Sequence, residues 1–504
     1  MLKKLALLPL LASAALHAAP LSDAATSTAS YARKTYQKQV VDSLANMVSF
    51  NTVADPKVPF EQNPQHIGFK KFLKDEADRL GFDYRDDGYI VVIGYGNSED
   101  RVGVVTHGDV QPVDPSKWKQ SPFKLDRTSE PGLLLGRGTE DDKGPIATAL
   151  YAMKAIKDRK VALKKRIELY VYMAEESDWA PLETWLKTHT PPQVNITLDA
   201  EYPVVTAEKG WGLIAVSMPP DAPRAAAPAA NASTPQLASF TGGFFASQIP
   251  EDARAEIDNA TPELEREIRL RAMKQKGMSY QYSWDGKRLM VTGKGYAAHS
   301  SKPWEGVNAI AMLAEALAVR SWSGTQAGAI ADFTAEMVGT GLYGERFGKI
   351  AYRDGFMGQM TVAPTTLKMD ADKNLVLGIN LRRPRGKSHD QLDQEIKSAF
   401  EEWKQKRGVA ATVSTTIGEP WVQDKAPQVP TLMAVFNHYS GIVDAAPIAI
   451  GGGTNSRLFP SAVSFGPTMP GKVYTGHSEH EYITEKQLLL NLEMYTAVLV
   501  ELAR

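Results

Sequence analysis

The stretch VGVVTHGD, residues 102–109, decides the fold class, because an apolar run typical of a buried strand ends there in polar residues. The same pattern recurs in IELYVYMAEES, residues 167–177, and in ITLDAE, residues 196–201. Apolar residues at helical spacing alternate with strand-like runs along the chain, as in residues 69–80, which precede the first of these runs and end before Gly81. This alternation predicts an α/β fold with a mostly parallel sheet covered by helices.

A smaller α+β domain is predicted to be inserted into this first one. Beyond an Ala/Pro-rich stretch at 219–235, the sequence predicts a charged helix over 253–275, a hairpin turning at Asp285 and Gly286, and helices over 307–319 and 392–403. The predicted organisation is a signal peptide at 1–18, a catalytic domain at 31–208 and 425–504, and a lid at 209–424. In the returning part, 447–450 is a predicted strand, and Thr484 with Gln487 is a predicted capping box before a final helix.

Composition excludes several classes of function. The 504 residues include 57 Lys and Arg against 58 Asp and Glu, so charge gives no reason to expect nucleic acid or a membrane surface as partner. Since the chain has no cysteine, disulfides, thiolate metal sites and cysteine nucleophiles are excluded. Any metal site must therefore use histidine and carboxylate ligands.

The first nineteen residues are typical of a secretory signal peptide. Lys3 and Lys4 precede an apolar run that ends at small residues, Ala18 and Ala19, and this run is too short to span a bilayer. A buried N-terminal helix is the alternative, but Pro9 interrupts it. We therefore expect an exported protein, periplasmic or secreted.

Polar residues at the predicted strand ends are the candidates for chemistry. His107 and Asp109 point to the same side of an extended chain, so Asp109 could fix the imidazole of a metal-bound His107; alone, His107 could equally be a structural histidine. The loop GRGTEDDKGP, residues 136–145, carries three acids, which disfavours a phosphate cradle and suits a cation, although Asp142 could simply cap the next helix.

The candidate segments, in this order from residue 107 to 481, resemble the di-zinc exopeptidases that include aminoacylase, carboxypeptidase G, carnosinase and the bacterial dipeptidases. The matching runs are HGDV at 107–110, GRGTEDDKGP at 136–145, EES at 175–177, DAE at 199–201 and GH at 476–477. The resemblance implies two divalent metal ions, with zinc expected first and manganese or cobalt as alternatives. The implied ligands are His107, Asp141, Glu176, Asp199 and His477, with Asp141 as the bridge.

The same resemblance implies three further features of the centre. Asp109 would orient His107, Glu175 would be the general base, and the peptide bond between Asp141 and Asp142 would be cis. His480 is the alternative to His477, which is preferred because its spacing to Glu481 matches the His-x-x-x-Glu of the family.

Two segments of the predicted lid extend the resemblance. GKGYAAHSS, residues 293–301, implies that His299 reaches the substrate carbonyl, and LRRP, residues 381–384, implies that Arg382 holds the substrate carboxylate, with Arg383 and Arg385 as competitors. The substrate-contacting asparagine of the family has no clear counterpart, and Ser247 occupies the place where it is expected.

The sequence thus predicts a metallopeptidase that hydrolyses dipeptides or short peptides. Its partner would be a small peptide, with no nucleic acid or membrane, and the long lid of the dipeptidase branch implies a monomer. An N-acyl amino-acid deacylase or a carboxypeptidase would use the same metal site, and a non-catalytic exported peptide-binding protein is the rival from another class.

Overall fold

The computed structural model describes residues 20–220, 234–322 and 324–504. The predicted signal peptide and most of the Ala/Pro-rich stretch lie outside the described residues. Within them, the helices are α1 Asp23–Val48, α2 Pro64–Leu80, α3 Lys143–Asp158, α4 Ala180–Leu186, α5 Pro262–Ala272, α6 Ala309–Leu317, α7 Gln326–Phe333, α8 His389–Arg407, α9 Val429–Ser440 and α10 Glu485–Ala503.

The strands run along the whole described chain. They are β1 Asp83–Asp86, β2 Ile90–Tyr95, β3 Arg101–His107, β4 Leu133–Leu135, β5 Arg166–Tyr172, β6 Val194–Thr197, β7 Ala200–Glu201, β8 Val205–Glu208, β9 Gly210–Met218, β10 Gln236–Gly242, β11 Gln248–Ile249, β12 Asp252–Asp258, β13 Ser279–Asp285, β14 Arg288–Lys294, β15 Ala298–His299, β16 Arg353–Asp354, β17 Gly358–Gln359, β18 Thr361–Met369, β19 Leu375–Arg383, β20 Thr412–Ile417, β21 Trp421–Val422, β22 Ile448–Ile450, β23 Val463–Ser464, β24 Pro467–Thr468 and β25 Tyr482–Thr484.

A nine-stranded sheet forms the first layer, in the order β1-β2-β5-β3-β6-β23-β8-β21, with β22 beside β8. Its centre is parallel, because β3 pairs in parallel with both β5 and β6, whereas β1 and β2 pair antiparallel at one edge. Alternate residues of the strands pack against opposite layers. Val91 and Val104 lie in the core shared with α1, α3 and α10, and Val92 and Val105 lie in the core shared with α4.

A second sheet of eight antiparallel strands follows the order β13-β14-β12-β10-β18-β19-β9-β20. Helices α6, α7 and α8 contribute residues such as Leu313, Phe333 and Phe400 to its separate core. The predicted α/β class with a smaller α+β unit is confirmed. The predicted domain boundaries stay a prediction; Trp421 and Val422, inside the predicted lid range, pair with β8 of the first sheet.

Most local predictions are confirmed. Helix α2 ends at Gly81 in the left-handed region (φ 75°), the hairpin β13–β14 turns at the predicted residues, and Thr484 accepts a hydrogen bond from the Gln487 amide at the start of α10. The Gln487 side chain instead donates to Pro467 and Asn491, so only half of the capping box forms.

The predicted helix over 253–275 is wrong in its first half. Residues 252–258 form β12, whose alternating burial pattern is that of a half-buried strand, and the helix begins only at Pro262, where Thr261 caps it. The many charged residues of this segment occupy the exposed face of the strand as well as the helix, which explains why charge alone did not separate the two.

Side-chain contacts link the loops at 117 and 477 to the segment 248–252, whose last residue begins β12 of the second sheet. The Gln248 side-chain amide donates to the His477 carbonyl at 3.0 Å, and Lys117 pairs with Glu251 and Asp252 at 2.5 and 2.8 Å. No helix in the described part of the chain is long and apolar enough to cross a membrane.

Candidate active site

Three parallel strands deliver polar residues to one edge of the first sheet. His107 is the last residue of β3, Glu175 and Glu176 follow β5, and Asp199 follows β6. Since β3 pairs in parallel with both neighbours, their carboxyl ends meet. The structure thus brings together residues that lie up to 92 positions apart in the sequence.

Asp141 lies between the two candidate histidines. Its Oδ1 is 2.8 Å from His107 Nε2, and its Oδ2 is 3.1 Å from His477 Nε2. The peptide bond between Asp141 and Asp142 is cis, as predicted. Each oxygen of this carboxylate therefore faces a different histidine, which is the arrangement that a bridging ligand requires.

The other predicted ligands complete two groups around this bridge. Asp199 Oδ2 lies 3.7 Å from His107 Nε2, and Glu176 Oε1 lies 3.1 Å from His477 Nε2. A tetrahedral centre with metal–ligand bonds of about 2.0–2.1 Å separates its ligand atoms by about 3.3 Å. The separations from 2.8 to 3.7 Å are compatible with ligand atoms that share an ion.

Unpaired carboxylate oxygens support the same assignment. Oε1 of Glu175 is buried and accepts no hydrogen bond from the described residues, and the buried Oε1 of Glu176 has only the His477 ring nitrogen near it, at 3.1 Å. Two sets of three side chains place one ligand atom each within 4.8 Å of one another: His107 with Asp141 and Glu176, and His107 with Glu175 and Asp199. A bound cation would compensate these crowded, buried carboxylates, so the residues present fit a divalent metal centre.

The electrostatics of the cluster reflect its crowded carboxylates. Burial and the neighbouring Asp199 raise the pKa of Glu175 well above its ordinary value. Burial also raises the pKa of Asp199, although His107 opposes this. Burial alone would lower the pKa of His477, but Glu176 and Asp141 raise it to about 10. The raised pKa values of Glu175 and Asp199 reflect buried negative charges that the protein alone compensates poorly, whereas the raised pKa of His477 reflects the carboxylates around it.

Asp109 contacts both His107 and the turn that carries Glu175 and Glu176. Its carboxylate accepts hydrogen bonds from the backbone amides of Glu175 and Glu176 at 2.9 and 3.0 Å. Its own backbone carbonyl lies 3.0 Å from His107 Nδ1, while its carboxylate is 3.5 Å away. The backbone carbonyl of Asp109 is thus closer to His107 Nδ1 than the carboxylate that was predicted to contact it. The other ring nitrogen, Nε2, faces Asp141 and Asp199.

Glu481 fixes the loop that carries Asp141. The carboxylate is fully buried, accepts from the backbone amides of Gly138, Glu140 and Asp141, and pairs with Arg137 at 2.8 Å. Glu481 lies four residues after His477. One segment therefore supplies both a candidate ligand and the carboxylate that fixes the loop carrying Asp141.

A cavity of about 640 Å³ opens onto the cluster. His299 lies in its wall, with its ring centroid 4.8 Å from that of His477. The Ser301 amide donates to His299 Nδ1 at 3.3 Å, so the proton of the neutral ring is on Nε2. Burial and the nearby His477 lower the pKa of His299 well below its ordinary value, and the ring is a neutral donor.

Arg382 is the arginine of the predicted LRRP segment that lines this cavity. Arg383 pairs with Glu419 at 2.7 Å, and Arg385 lies near Asp354 on the surface; neither is in the cavity wall. His480, the alternative to His477, is exposed and pairs with Glu130 at 2.8 Å, away from the cluster.

The profile of the peptidase family M20/M25/M40 matches residues 103–501, which include every candidate residue described above. The chain belongs to this family. The predicted family membership is thereby confirmed, and the matched segment begins within β3 and ends within α10.

Relatives of this peptidase share nearly the full length of the chain. The Beta-Ala-Xaa dipeptidase of Lactobacillus delbrueckii subsp. lactis is 27% identical over 92% of this chain and 96% of its own. The putative dipeptidase YtjP of Bacillus subtilis (strain 168) is 30% identical over 91% and 95%. Both chains therefore align with the first sheet and with the second.

Two solved structures share the fold of the peptidase at low identity. Human carnosine dipeptidase 1 has a TM-score of 0.54 and 13% identity over 94% of this chain and 99% of its own. The di-peptidase Dug1p of Saccharomyces cerevisiae has a TM-score of 0.55 and 14% identity over 95% and 98%.

The structure of the peptidase also places residues at the site that sequence reasoning did not assign. The Tyr474 hydroxyl donates to Asp141 Oδ2 at 2.5 Å, and the Gln111 side chain donates to Glu176 Oε2 at 2.6 Å. Lys209 and Arg457 line the cavity on the side of Arg382. Tyr474 adjoins the GH run and could have been found by its position, but nothing in the sequence marks the other three. Ser247 does line the cavity, where the asparagine of the family was expected.

Proposed function

We propose that this peptidase is a metal-dependent dipeptidase that holds two divalent ions, zinc in the first instance. His107, Asp141 and Asp199 would hold one ion, and Asp141, Glu176 and His477 the other. Bound together, two such ions polarise the carbonyl of a substrate and lower the pKa of a water molecule. Histidine and carboxylate ligands suit zinc and also allow manganese or cobalt.

Glu175 is the proposed general base. Its Oε1 is buried beside the cluster without a hydrogen-bond donor, and its raised pKa suits a group that takes a proton from water and passes it to the leaving amine. The hydrogen bond from its amide to Asp109 fixes the backbone that carries it. His299 donates through Nε2 to the oxygen of the scissile carbonyl, where negative charge develops.

The choice of a short peptide as substrate rests on Arg382, a buried arginine whose guanidinium has no acidic partner among the described residues. Its guanidinium is buried in the cavity wall and donates only to neutral oxygens, those of Asn380, Gly451 and Ser300. No carboxylate of the described residues lies within ion-pair distance of it. A buried cation without a counter-ion suits the terminal carboxylate of a short peptide.

Kinetic profiling tests this proposal. Dipeptides should be hydrolysed with a higher kcat/KM than tripeptides or N-acetylated amino acids, and Arg382→Ala should raise KM for dipeptides by about 10- to 100-fold. Arg385→Ala is the matched control, because Arg385 pairs with Asp354 outside the cavity. Faster turnover of N-acetylated amino acids would make the enzyme a deacylase, and preferred cleavage of longer peptides at the C-terminus would make it a carboxypeptidase.

Export and a monomeric state complete the proposal. The basic and apolar character of residues 1–19 supports a cleaved signal peptide and a periplasmic location. A monomer is supported because the ligand cluster, His299 and Arg382 all come from one chain. N-terminal sequencing should begin after residue 18, and light scattering should give the mass of one chain.

A further inference from the structure

Three basic side chains line the cavity close to one another. Lys209 follows β8, Arg382 lies on β19, and Arg457 follows the glycine-rich turn at 451–453. We call these three residues the cationic end. Strand pairing brings Arg382 close to Lys209. In the pairing of β19 with β9, Arg382 lies opposite Trp211, which is two residues after Lys209.

Among the described residues, Glu208 supplies the one carboxylate that forms an ion pair with the cationic end. Glu208 is fully buried, lies 3.1 Å from Arg457 Nε, and accepts two further hydrogen bonds from Thr454. Within the described residues, no other acidic side chain lies within ion-pair distance of Lys209, Arg382 or Arg457. Three positive charges therefore meet one negative charge, and the cationic end keeps an excess of two positive charges.

Lys209 is the cation of this group that the proposed function leaves unused. It is only 5% exposed, and its ammonium group donates to the carbonyl of Gln359, which is uncharged. Since an ammonium group has three donors, two of them stay available to a ligand in the cavity. Burial and the nearby Arg382 lower the pKa of Lys209 to about 8, which shows that its charge is poorly compensated.

The excess charge matches a ligand with two carboxylates. The terminal carboxylate of a dipeptide compensates Arg382 alone, because one carboxylate carries one negative charge. We infer that Lys209 binds a second carboxylate, the side chain of an aspartate or glutamate at the C-terminal position of the substrate. This inference rests on the proposed dipeptidase function and adds a substrate class to it.

Two neighbouring basic residues do not fit this role. Arg457 is already paired with Glu208, so its charge is compensated before a substrate binds. Lys302 lines the same cavity but pairs with Glu201 at 2.7 Å. Lys302 is therefore a matched control, a lysine in the same cavity with an acidic partner in place.

The test compares alanyl-glutamate with alanyl-glutamine, which differ by one charge at nearly equal size. The wild-type enzyme should hydrolyse alanyl-glutamate with a kcat/KM about 10- to 100-fold higher. Lys209→Gln keeps a donor for the Gln359 carbonyl and should reduce this ratio to near one, whereas Lys302→Gln should leave it unchanged. A wild-type ratio near one would overturn the inference, and so would an equal loss for both substrates in Lys209→Gln.

A binding measurement separates this inference from the proposed function. Calorimetric titration of the wild-type enzyme with the amino acids themselves should give a glutamate affinity at least about tenfold above that for glutamine. If no dipeptide is hydrolysed but this preference is present, the proposed function fails and the inference about Lys209 stands. If dipeptides are hydrolysed and glutamate has no advantage, the inference fails alone. If Lys209→Gln does not fold, the wild-type ratio of kcat/KM for alanyl-glutamate to that for alanyl-glutamine still tests the inference.

Discussion

At the residue scale, the two adjacent glutamates after β5 have different surroundings. Glu176 lies 3.1 Å from His477 and accepts a hydrogen bond from Gln111, whereas Glu175 Oε1 accepts none from the part of the chain that the structure describes. The backbone amides of both residues donate to Asp109, so the two side chains diverge from one fixed turn. This difference supports the proposal that Glu176 binds metal and that Glu175 transfers the proton.

Replacing Glu175 with glutamine should separate these two roles. Glu175→Gln removes the proton acceptor and keeps the size of the side chain, so kcat should fall by about two to four orders of magnitude. Metal content, measured on the purified protein by plasma emission spectrometry, should stay the same. Asp199→Ala is the comparison, in which metal content should fall together with activity. Near-normal turnover in Glu175→Gln would assign the base to another group.

Two adjacent serines support different parts of the cavity. Ser301 contacts His299 Nδ1 through its hydroxyl at 2.6 Å, whereas the Ser300 hydroxyl accepts from Arg382 at 2.8 Å. We predict that Ser301→Ala lowers kcat by about 2- to 10-fold at unchanged KM, because the tautomer of the imidazole is less firmly fixed. Ser300→Ala should instead raise KM by a similar factor. Steady-state kinetics on dipeptides would contradict the assignment if both variants changed the same constant.

The residues that the sequence could reveal are those that belong to short, ordered runs. His107, Asp141 and His477 lie in such runs, and the structure brings both histidines within 3.1 Å of the Asp141 carboxylate. Lys209 could not be found this way, because its significance lies in burial and in the lack of an acidic partner. Both are properties of the folded chain, created when β8 and β9 place it beside β19.

At the element scale, the loop between β4 and α3 depends on a carboxylate from the opposite end of the chain. Glu481 accepts hydrogen bonds from three backbone amides of this loop and pairs with Arg137, and all of these groups are buried. Asp142 stands at the N-cap of α3 but makes no side-chain capping bond, and its carboxylate accepts from the His107 amide instead. The Glu481 anchor and this contact set the position of Asp141.

We predict that Glu481→Gln lowers the free energy of unfolding by about 3–5 kcal/mol, because it leaves the buried Arg137 without its counter-charge. Chemical denaturation would measure the loss. The control is His480→Ala at the neighbouring position, where the exposed pair with Glu130 should contribute less than about 1 kcal/mol. His480→Ala should also keep its metal, whereas metal loss in this variant would point to His480 as a ligand.

The limits of sequence reasoning at this scale are visible in β12. Strong apolar periodicity identified α2, α8 and the central strands, which are buried on one or both faces. Residues 252–258 alternate buried and exposed side chains, but their charges also suit a helix, and pairing with β10 and β14 makes them a strand. Long-range pairing of this kind overrides local preference and has no local signature.

At the scale of the whole molecule, the active site is a junction of distant segments. The candidate ligands come from β3, from the loops after β5 and β6, from the loop before α3 and from the turn at 476–477, while His299 and Arg382 come from strands β15 and β19. Near this junction Gln248 donates to the His477 carbonyl, and Lys117 pairs with Glu251 just before β12. Ions held by residues from so many elements would link these segments together.

Removal of the metal should therefore affect both activity and stability. We predict that the purified enzyme contains about two equivalents of a divalent transition ion and that a chelator abolishes hydrolysis. The apparent melting temperature should fall by at least a few degrees, because ions that bind only the folded state stabilise it by about 2.7 kcal/mol at a hundred times their dissociation constant. Crowded carboxylates such as Glu175 and Asp199, whose pKa values burial raises, add to the loss once the cations are gone.

Differential scanning calorimetry with and without chelator measures the shift in melting temperature, and zinc added back should restore both activity and stability. In Glu175→Gln the same shift should appear without any activity to lose, since its ligands are intact. A chelated enzyme that keeps its turnover and its melting temperature would refute the two-ion assignment.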